Sequence, residues 1–244
     1  MIMNRLHALI LVGGLAATAQ AQTTFDSYDT TTQGNWIGVY GAAGYTLNDY
    51  YRVSPDIVPP QQNLNNQPID AAFDAVSLPT YVSGYAYSAS AKGHLWQSGT
   101  TDLRALQDPA NSGGPRNAAT AYDGAGYTLT LTLSEAKQFT LGVYALDWDS
   151  TTRDTTVTVG GAPAQVDNTA NPAQGTDDNV FNKGTWLLFD VDALAGPLTI
   201  NVANNNPASN AVISGLTFDP VPEPGSMALL GCAALGLLGR RRAR

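Results

Sequence analysis

Cysteine and histidine are scarce in this 244-residue chain, which holds one cysteine and two histidines. Cys232 and His7 lie in the apolar segments at the two ends, so His94 is the one residue of either type in between. This excludes a disulfide, a thiolate metal site and a multi-histidine zinc site from the central region. It leaves one base for a serine triad, although the segment KGHLW is more typical of a histidine at a strand end or on the surface.

Charge is also sparse, and it is one-sided. Charged residues make up 13% of the chain, whose formal net charge is −8. Five of the twelve basic residues, Arg5 and the four arginines of the C-terminus, belong to the end segments. With Glu223 also set aside, residues 22–220 hold seven basic against nineteen acidic residues, a net charge of −12. Such a charge opposes binding to nucleic acid and to anionic membranes, and it is compatible with cations or neutral sugars as partners.

The N-terminal apolar segment has the pattern of a signal peptide. Residues 1–21 combine a basic start at Arg5, an apolar stretch over 8–17 and the small-residue pattern Ala19-Gln20-Ala21. This pattern predicts cleavage after Ala21, so that the mature chain begins at Gln22. The alternative is the first helix of a domain, which would not need the cleavage pattern.

The C-terminal apolar segment, residues 225–239, carries no charge and is followed by an arginine cluster. As a helix it would span about 22 Å, which is short for the roughly 30 Å of hydrocarbon in a bilayer. The arginines favour the cytoplasmic side, which predicts a transient anchor in the inner membrane with the body outside. A C-terminal core helix is the alternative, but this segment has no polar face.

The tetrapeptide Val221-Pro222-Glu223-Pro224 precedes the C-terminal apolar segment and the arginine cluster. Together these parts resemble the sorting segment of PEP-CTERM proteins, which combines a Pro-Glu-Pro tripeptide, a short hydrophobic helix and a basic tail. The resemblance implies recognition by an exosortase-type transpeptidase, a Gram-negative envelope, and export to the cell surface or its exopolysaccharide matrix. It divides the chain into a signal peptide (1–21), a domain (22–220) and a sorting segment (221–244). The residues that carry the motif are Val221, Pro222, Glu223, Pro224, Arg240, Arg241 and Arg242.

The central region has the composition and periodicity of an all-β domain. In GYTLTLTLSE, apolar residues alternate with threonines from Tyr127 to Leu133, as in a strand with one buried face. The next segment, QFTLGVYAL, is apolar on both faces, with Phe139, Leu141 and Val143 opposite Tyr144 and Leu146, which predicts a central strand. We expect the two segments to form a hairpin.

Eight further short segments are predicted strands, and the clusters of Gly, Pro, Asn and Asp between them indicate an antiparallel β-sandwich, for which we expect a jelly-roll topology. The eight segments are WIGVY (36–40), AGYTL (43–47), YVSGYAYS (81–88), AATAY (118–122), TTVTV (155–159), TWLLFDV (185–191), LTINVA (198–203) and NAVISGLTF (210–218). Residues 52–78 and 102–117 are predicted to be loops that are long enough to contain a single helical turn.

The segment GNWIGVYGAAGYTL brings Trp36, Tyr40 and Tyr45 close together between glycine turns. Aromatic faces suit the C–H faces of sugar rings, and neighbouring Asp49 would hydrogen-bond hydroxyl groups, so this segment is a candidate sugar-binding surface. The alternative is that Trp36 and Tyr45 belong to the core and that the glycines serve tight turns.

This segment, together with TTDLRALQ (100–107), LDWDSTTRD (146–154) and NAVISGLTF, resembles galactose-binding-like and NPCBM-type β-sandwich modules of secreted bacterial proteins. The resemblance covers most of residues 34–218 and implies carbohydrate binding. Residues 52–75 are an insertion relative to that pattern. The candidate ligand-binding residues are Trp36, Tyr40, Tyr45, Asp49, Arg104 and Trp148.

The segment LDWDSTTRD places Asp147 and Asp149 on one face of a strand end, with Asp154 nearby. Converging carboxylates are calcium ligands, so these three residues are a candidate Ca²⁺ site, although the spacing is not that of an EF-hand. The alternative is an ion pair of Asp147 with Arg104 or Arg153, since a buried carboxylate needs a charged or hydrogen-bonding partner.

The sequence contains no Gly-x-Ser-x-Gly elbow, no Walker loop and no His-Glu-x-x-His motif. We therefore expect an exported, non-catalytic surface or matrix protein whose sandwich binds polysaccharide. Two alternatives stay open: a structural matrix protein without a specific ligand, and a glycoside hydrolase, whose carboxylate pair the numerous aspartates do not exclude.

Overall fold

The computed structural model describes residues 22–52, 67–168 and 180–221. The predicted signal peptide and the predicted hydrophobic helix of residues 225–239 lie outside these ranges. The elements in chain order are β1 (Gln22–Asp29), β2 (Gly44–Leu47), β3 (Gln67–Pro68), a 3-10 helix (Ala71–Phe73), β4 (Ala75–Ser77), β5 (Val82–Tyr87), β6 (Lys92–Thr100), β7 (Arg116–Asp123), β8 (Gly126–Leu133), β9 (Lys137–Ala145), β10 (Asp154–Val159), β11 (Ala162–Asp167), α1 (Val180–Lys183), β12 (Thr185–Ala193), β13 (Gly196–Asn204), β14 (Ala211–Ile213) and β15 (Gly215–Pro220).

The strands form three antiparallel sheets, which confirms the predicted all-β, antiparallel sandwich. The largest sheet has the order β1-β12-β9-β15-β2-β4, and the second has the order β11-β10-β13-β8-β5. A smaller sheet has the order β14-β7-β6-β3. Within the described ranges, no helix has the length and apolarity needed to cross a bilayer.

Strand β9 is central in the largest sheet, as predicted, and both of its faces are buried. Phe139, Leu141 and Val143 belong to the main core between the two large sheets. Tyr144 and Leu146 belong to a second apolar cluster, which also contains Trp36 and Trp186. The largest sheet is therefore covered on both faces along this strand.

The predicted β8–β9 hairpin is wrong. Strand β8 lies between β13 and β5 in the five-stranded sheet, whereas β9 lies between β12 and β15 in the six-stranded sheet. The turn at residues 134–136 thus carries the chain from one sheet to the other. The predicted one-sided burial of β8 is confirmed, since Tyr127, Leu129, Leu131 and Leu133 are all buried.

Two further predictions about strands need correction. WIGVY forms turns, because Gly38 and Gly41 have φ of 83° and 77° and the carbonyl of Trp36 accepts hydrogen bonds from the amides of Val39 and Tyr40. NAVISGLTF is divided between β14 and β15, which belong to different sheets. Strands β1, β6 and β11 were not predicted, because few apolar residues alternate along their sequences.

The predicted loop of residues 52–78 contains the expected helical turn, the 3-10 helix, and two short strands that were not predicted, β3 and β4. Asp70 caps this helix, because its carboxylate accepts a hydrogen bond from the amide of Ala72 at 2.9 Å. The predicted loop of residues 102–117 consists mainly of turns, and β7 begins at its end.

We predict that Gly184→Ala destabilises the domain far more than Gly161→Ala. Both glycines have positive φ, 86° and 96°, so both substitutions carry backbone strain of about 1–2 kcal/mol. A Cβ at Gly184 would also overlap the buried hydroxyl of Tyr144, whereas nothing lies near a Cβ at Gly161. Thermal unfolding of both variants measures the difference, and equal losses of stability would contradict this packing.

Candidate functional site

A polar and aromatic cleft of about 140 Å³ opens beside the four-stranded sheet. We call it the His94 cleft. It is lined by His94, Trp96, Thr120, Tyr122, Asp149, Arg153, Asn210 and Val212.

The sheet supplies one side of the cleft. His94 on β6 is paired with Thr120 on β7, and Tyr122 on β7 is paired with Val212 on β14. Side chains of directly opposed residues lie on the same face of a sheet, which brings these four together. Trp96 follows two residues after His94, and the two rings meet edge to face with centroids 5.9 Å apart.

The loop between β9 and β10 supplies the charged side. Arg153 Nη1 forms a close ion pair with Asp147 and donates to Asp149 Oδ1 at 2.6 Å. Asp147 is fully buried and also accepts a hydrogen bond from Asn168 Nδ2 at 3.0 Å. The guanidinium of Arg153 lies 5.6 Å from the ring centroid of Trp96, a cation–π contact that joins the loop to the sheet.

The ion-paired side chains beside the cleft, counted together, carry a surplus of negative charge. Burial is the largest effect on His94 and lowers its pKa, Asp149 opposes this effect, and the guanidiniums of Arg153 and Arg52 reinforce it. The imidazole is therefore neutral at pH 7, and its buried Nδ1 has no hydrogen-bond partner within the described residues. Two carboxylates, Asp147 and Asp149, then face one guanidinium.

The residues of the candidate calcium site only partly converge. Asp147 and Asp149 come together as predicted, but around Arg153, which is the alternative that the sequence left open. Asp154 instead accepts hydrogen bonds from Gln165 Nε2 at 2.9 Å and Asn205 Nδ2 at 2.8 Å. In the described part of the chain, no group of three acidic, histidine or cysteine side chains is arranged to hold a metal ion. Calcium binding stays a prediction from the sequence, and the ion pairs of Arg153 favour the alternative that the sequence left open.

We predict that EDTA and added CaCl₂ both leave the melting temperature unchanged, because Arg153 already neutralises the buried Asp147. Arg153→Met should cost about 3–5 kcal/mol of unfolding free energy, since it leaves a buried charge without its partner. Differential scanning calorimetry measures both effects. A lower melting temperature in EDTA would instead show that a metal stabilises the folded protein.

The predicted aromatic surface is largely built into the second apolar cluster. Trp36 is only 3% exposed, and its Nε1 donates to the carbonyl of Gln107 at 3.1 Å. Tyr45 packs edge to face on Trp36 with ring centroids 4.9 Å apart, and the hydroxyl of Tyr40 donates to Asp29 Oδ2 at 2.8 Å. A shallow groove remains between Tyr45 and the 36–42 turn, with exposed Val39 on it. We call it the Tyr45 groove.

Of the other predicted ligand residues, the structure brings Arg104 and Trp148 together and buries Asp49. Arg104 stacks on Trp148, with its guanidinium 4.5 Å from the ring centroid, and forms an ion pair with Asp102 at 2.9 Å. Asp49 is fully buried and forms a close ion pair with Arg52. Asp49 therefore has no surface on which a ligand could bind.

Sequence reasoning missed most of the His94 cleft. Of its lining residues it named Asp149 as a candidate calcium ligand, Arg153 as a possible ion-pair partner and His94 as the one base available to a serine triad. His94 and Trp96 stand two residues apart in KGHLW, a spacing that indicates a shared face once β6 is recognised as a strand. Tyr122 and Asn210 carry no such signal, because the pairing of β7 with β14 brings them there.

Asp49 belongs to a buried acidic cluster with Asp74. Asp74 Oδ1 accepts the amide of Asp49 at 2.6 Å, and Oδ2 accepts the hydroxyls of Tyr85 and Tyr87 at 2.7 and 2.8 Å. Burial outweighs these hydrogen bonds and raises the pKa of Asp74 to about 6. Burial likewise raises the pKa of Asp49 to about 6, despite the opposing effect of Arg52.

We predict that the protein becomes more stable as the pH falls from 8 to 5. Because the pKa of Asp74 is raised from 3.8 to about 6, its stabilising effect is fully present below pH 3.8 and is lost as pH rises through 6. Over that range the effect amounts to about 3 kcal/mol. Below pH 4 the trend should reverse, because at Asp29 hydrogen bonds from Thr32 and Thr31 outweigh burial and lower the pKa.

Melting temperatures between pH 3 and pH 9 measure this profile. Asp74→Asn should flatten the slope between pH 5 and pH 8, whereas the exposed Asp190→Asn should leave it unchanged. An unchanged slope in Asp74→Asn would show that Asp74 is already ionised in the folded protein throughout this range.

The end of the chain is a sorting signal of exported proteins. Residues 220–242 match the PEP-CTERM protein-sorting motif, which confirms the sorting segment predicted from the sequence. PEP-CTERM proteins are exported and sorted to the cell surface, and the motif implies processing by an exosortase. The match covers the sorting segment and not the sandwich.

The sandwich is distantly similar to solved carbohydrate-binding modules. The CBM35 module of Cellvibrio japonicus Abf62 is 12% identical, with 57% of this chain and 95% of that one covered at a TM-score of 0.29. A family 35 carbohydrate-binding module from an environmental isolate is 14% identical, with 53% and 93% covered at a TM-score of 0.28. An exo-β-1,3-galactanase from Phanerochaete chrysosporium is 16% identical, with 61% and 31% covered at a TM-score of 0.27. The comparison with curated proteins gives no match.

Proposed function

We propose that this is a non-catalytic protein of the bacterial surface or extracellular matrix whose β-sandwich, of galactose-binding-like jelly-roll type, binds carbohydrate in the His94 cleft. In this proposal residues 225–239 anchor the exported chain transiently in the inner membrane of a Gram-negative cell. An exosortase then processes it at the sorting segment.

One observation carries the proposal: the His94 cleft combines aromatic faces with polar groups in one concavity. Trp96 and Tyr122 supply faces for the apolar side of a sugar ring, and Asp149 and Asn210 supply groups that hydrogen-bond hydroxyls. In the Tyr45 groove, by contrast, Trp36 Nε1 and the Tyr40 hydroxyl already donate hydrogen bonds within the protein, to Gln107 and Asp29. The His94 cleft is therefore the better candidate.

The position of the cleft suits a protein processed at its C-terminus. Gln22 and Val221 line the same concavity at one end of the largest sheet, beside the start of β9. Asp149 and Arg153 follow the other end of β9, whose nine residues span about 30 Å. The cleft thus lies far from the point where the sorting segment leaves the domain, and an attached protein would keep it accessible.

The proposal of a non-catalytic role rests on the carboxylates. A glycosidase needs two carboxyl groups that flank the substrate, one of them free to act as an acid. In the cleft, Arg153 holds both Asp147 and Asp149, and Asp147 is fully buried. This arrangement favours binding over hydrolysis.

We predict that Trp96→Ala lowers the affinity for a bound glycan about tenfold or more, equivalent to about 1.4 kcal/mol, because it removes an aromatic wall of the cleft. Tyr45→Ala is the matched control, since it removes an aromatic side chain from the other groove. A glycan array with full-length protein in a non-glycosidic detergent identifies the ligand, and titration calorimetry measures each variant. Melting curves verify that the variants fold.

Other outcomes would favour other functions. Loss of binding in Tyr45→Ala or Trp148→Ala, with binding retained in folded Trp96→Ala, would move the site to the residues predicted from sequence. No binding to any glycan would favour a structural matrix protein. Turnover of an oligosaccharide by the native protein would show that it is a hydrolase.

A further inference from the structure

The charges around the His94 cleft distinguish between classes of sugar. Asp147 and Asp149 together carry one negative charge more than Arg153 compensates, and burial holds His94 neutral. Lys92, on the same strand as His94, does not line the cleft. Asp149 and Arg153 line the cleft, whereas Asp147 is fully buried outside its lining. Arg52, which also acts on His94, is held in an ion pair with Asp49. The exposed carboxylate of Asp149 is therefore the negative group that a ligand meets, within a domain that is acidic as a whole.

The carboxylate of Asp149 disfavours acidic sugars. A uronate carboxylate is recognised best by a guanidinium that offers its donors in a fork. Arg153 already binds two carboxylates through Nη1, and its Nε is buried. A third carboxylate would meet Asp149 instead, at the cost of repulsion between like charges.

The same arrangement is suited to a cation. The side chain of Asp149 is 51% exposed, so a ligand can reach its carboxylate although that of Asp147 is buried. Trp96 and Tyr122 stand beside it, and aromatic faces attract ammonium groups as well as the C–H faces of sugar rings. A sugar with a protonated amine would use both features at once.

We propose that the ligand of the His94 cleft is a polysaccharide containing hexosamine units with free, protonated amino groups. The ammonium group pairs with Asp149, and the ring packs against Trp96 or Tyr122. This inference rests on the proposed carbohydrate-binding function and specifies its ligand.

The test compares three oligosaccharides of equal length on full-length protein at pH 6.0, where a sugar amine is charged. They are a β-1,4-glucosamine hexamer, its fully N-acetylated form and a galacturonate hexamer. We expect the glucosamine hexamer to bind about tenfold tighter than the acetylated form and the galacturonate hexamer to bind weakest. The preference for the amine should decline with added salt, because screening weakens exposed charge pairs.

Two matched variants separate the cleft from the general acidity of the domain. Asp149→Asn and Asp190→Asn remove the same charge, but Asp190 is exposed on β12, outside the cleft. The preference for the amine should fall about tenfold in Asp149→Asn and persist in Asp190→Asn. Equal effects of the two variants, or none in folded Asp149→Asn, would overturn the inference.

The outcomes also separate this inference from the proposed function. If the acetylated or the acidic hexamer binds as tightly as the glucosamine hexamer or tighter, and Trp96→Ala abolishes that binding, the site stands and the cationic ligand is wrong. If none of the three hexamers binds and a glycan array is also negative, both proposals fail.

Discussion

The fold depends on the burial of strand β9 on both faces. On one face of the strand, Leu141 and Val143 pack in the main core against the five-stranded sheet. On the other side, Tyr144 and Leu146 pack in the second apolar cluster, to which the 36–50 and 102–118 segments contribute. This packing explains why Trp36 and Tyr50 are buried although neither lies in a strand.

Beyond the end of β9, the same strand delivers the ion pairs of the candidate site. Asp147 is buried because it follows a fully covered strand, and a buried carboxylate requires a partner. Arg153 meets that requirement and at the same time orients Asp149 toward the cleft. The same guanidinium therefore contributes to the stability of the fold and to the proposed recognition, and a substitution of Arg153 would affect both.

Much of the fold could be predicted from local pattern. The alternation in β8 and the two-sided apolarity of β9 were correct, because side-chain burial along a strand follows a period of two. The hairpin between them was not, because a turn of three residues permits either pairing in one sheet or passage to the next. Trp36 and Asp49 looked like ligand residues because exposure cannot be derived from residue type. The second apolar cluster buries one, and an ion pair with Arg52 holds the other.

The amino-acid sequence by itself determined that this chain is an acidic, disulfide-free β domain carrying a C-terminal sorting segment, since composition, periodicity and a contiguous motif are local properties. The tertiary structure alone decided which side chains meet. Tyr122, Asn210 and Asp149 share a cleft because the pairing of β6, β7 and β14 and the ion pairs of Arg153 bring distant segments together. Strand register and long-range packing set those contacts, and neither is encoded in any short stretch of residues.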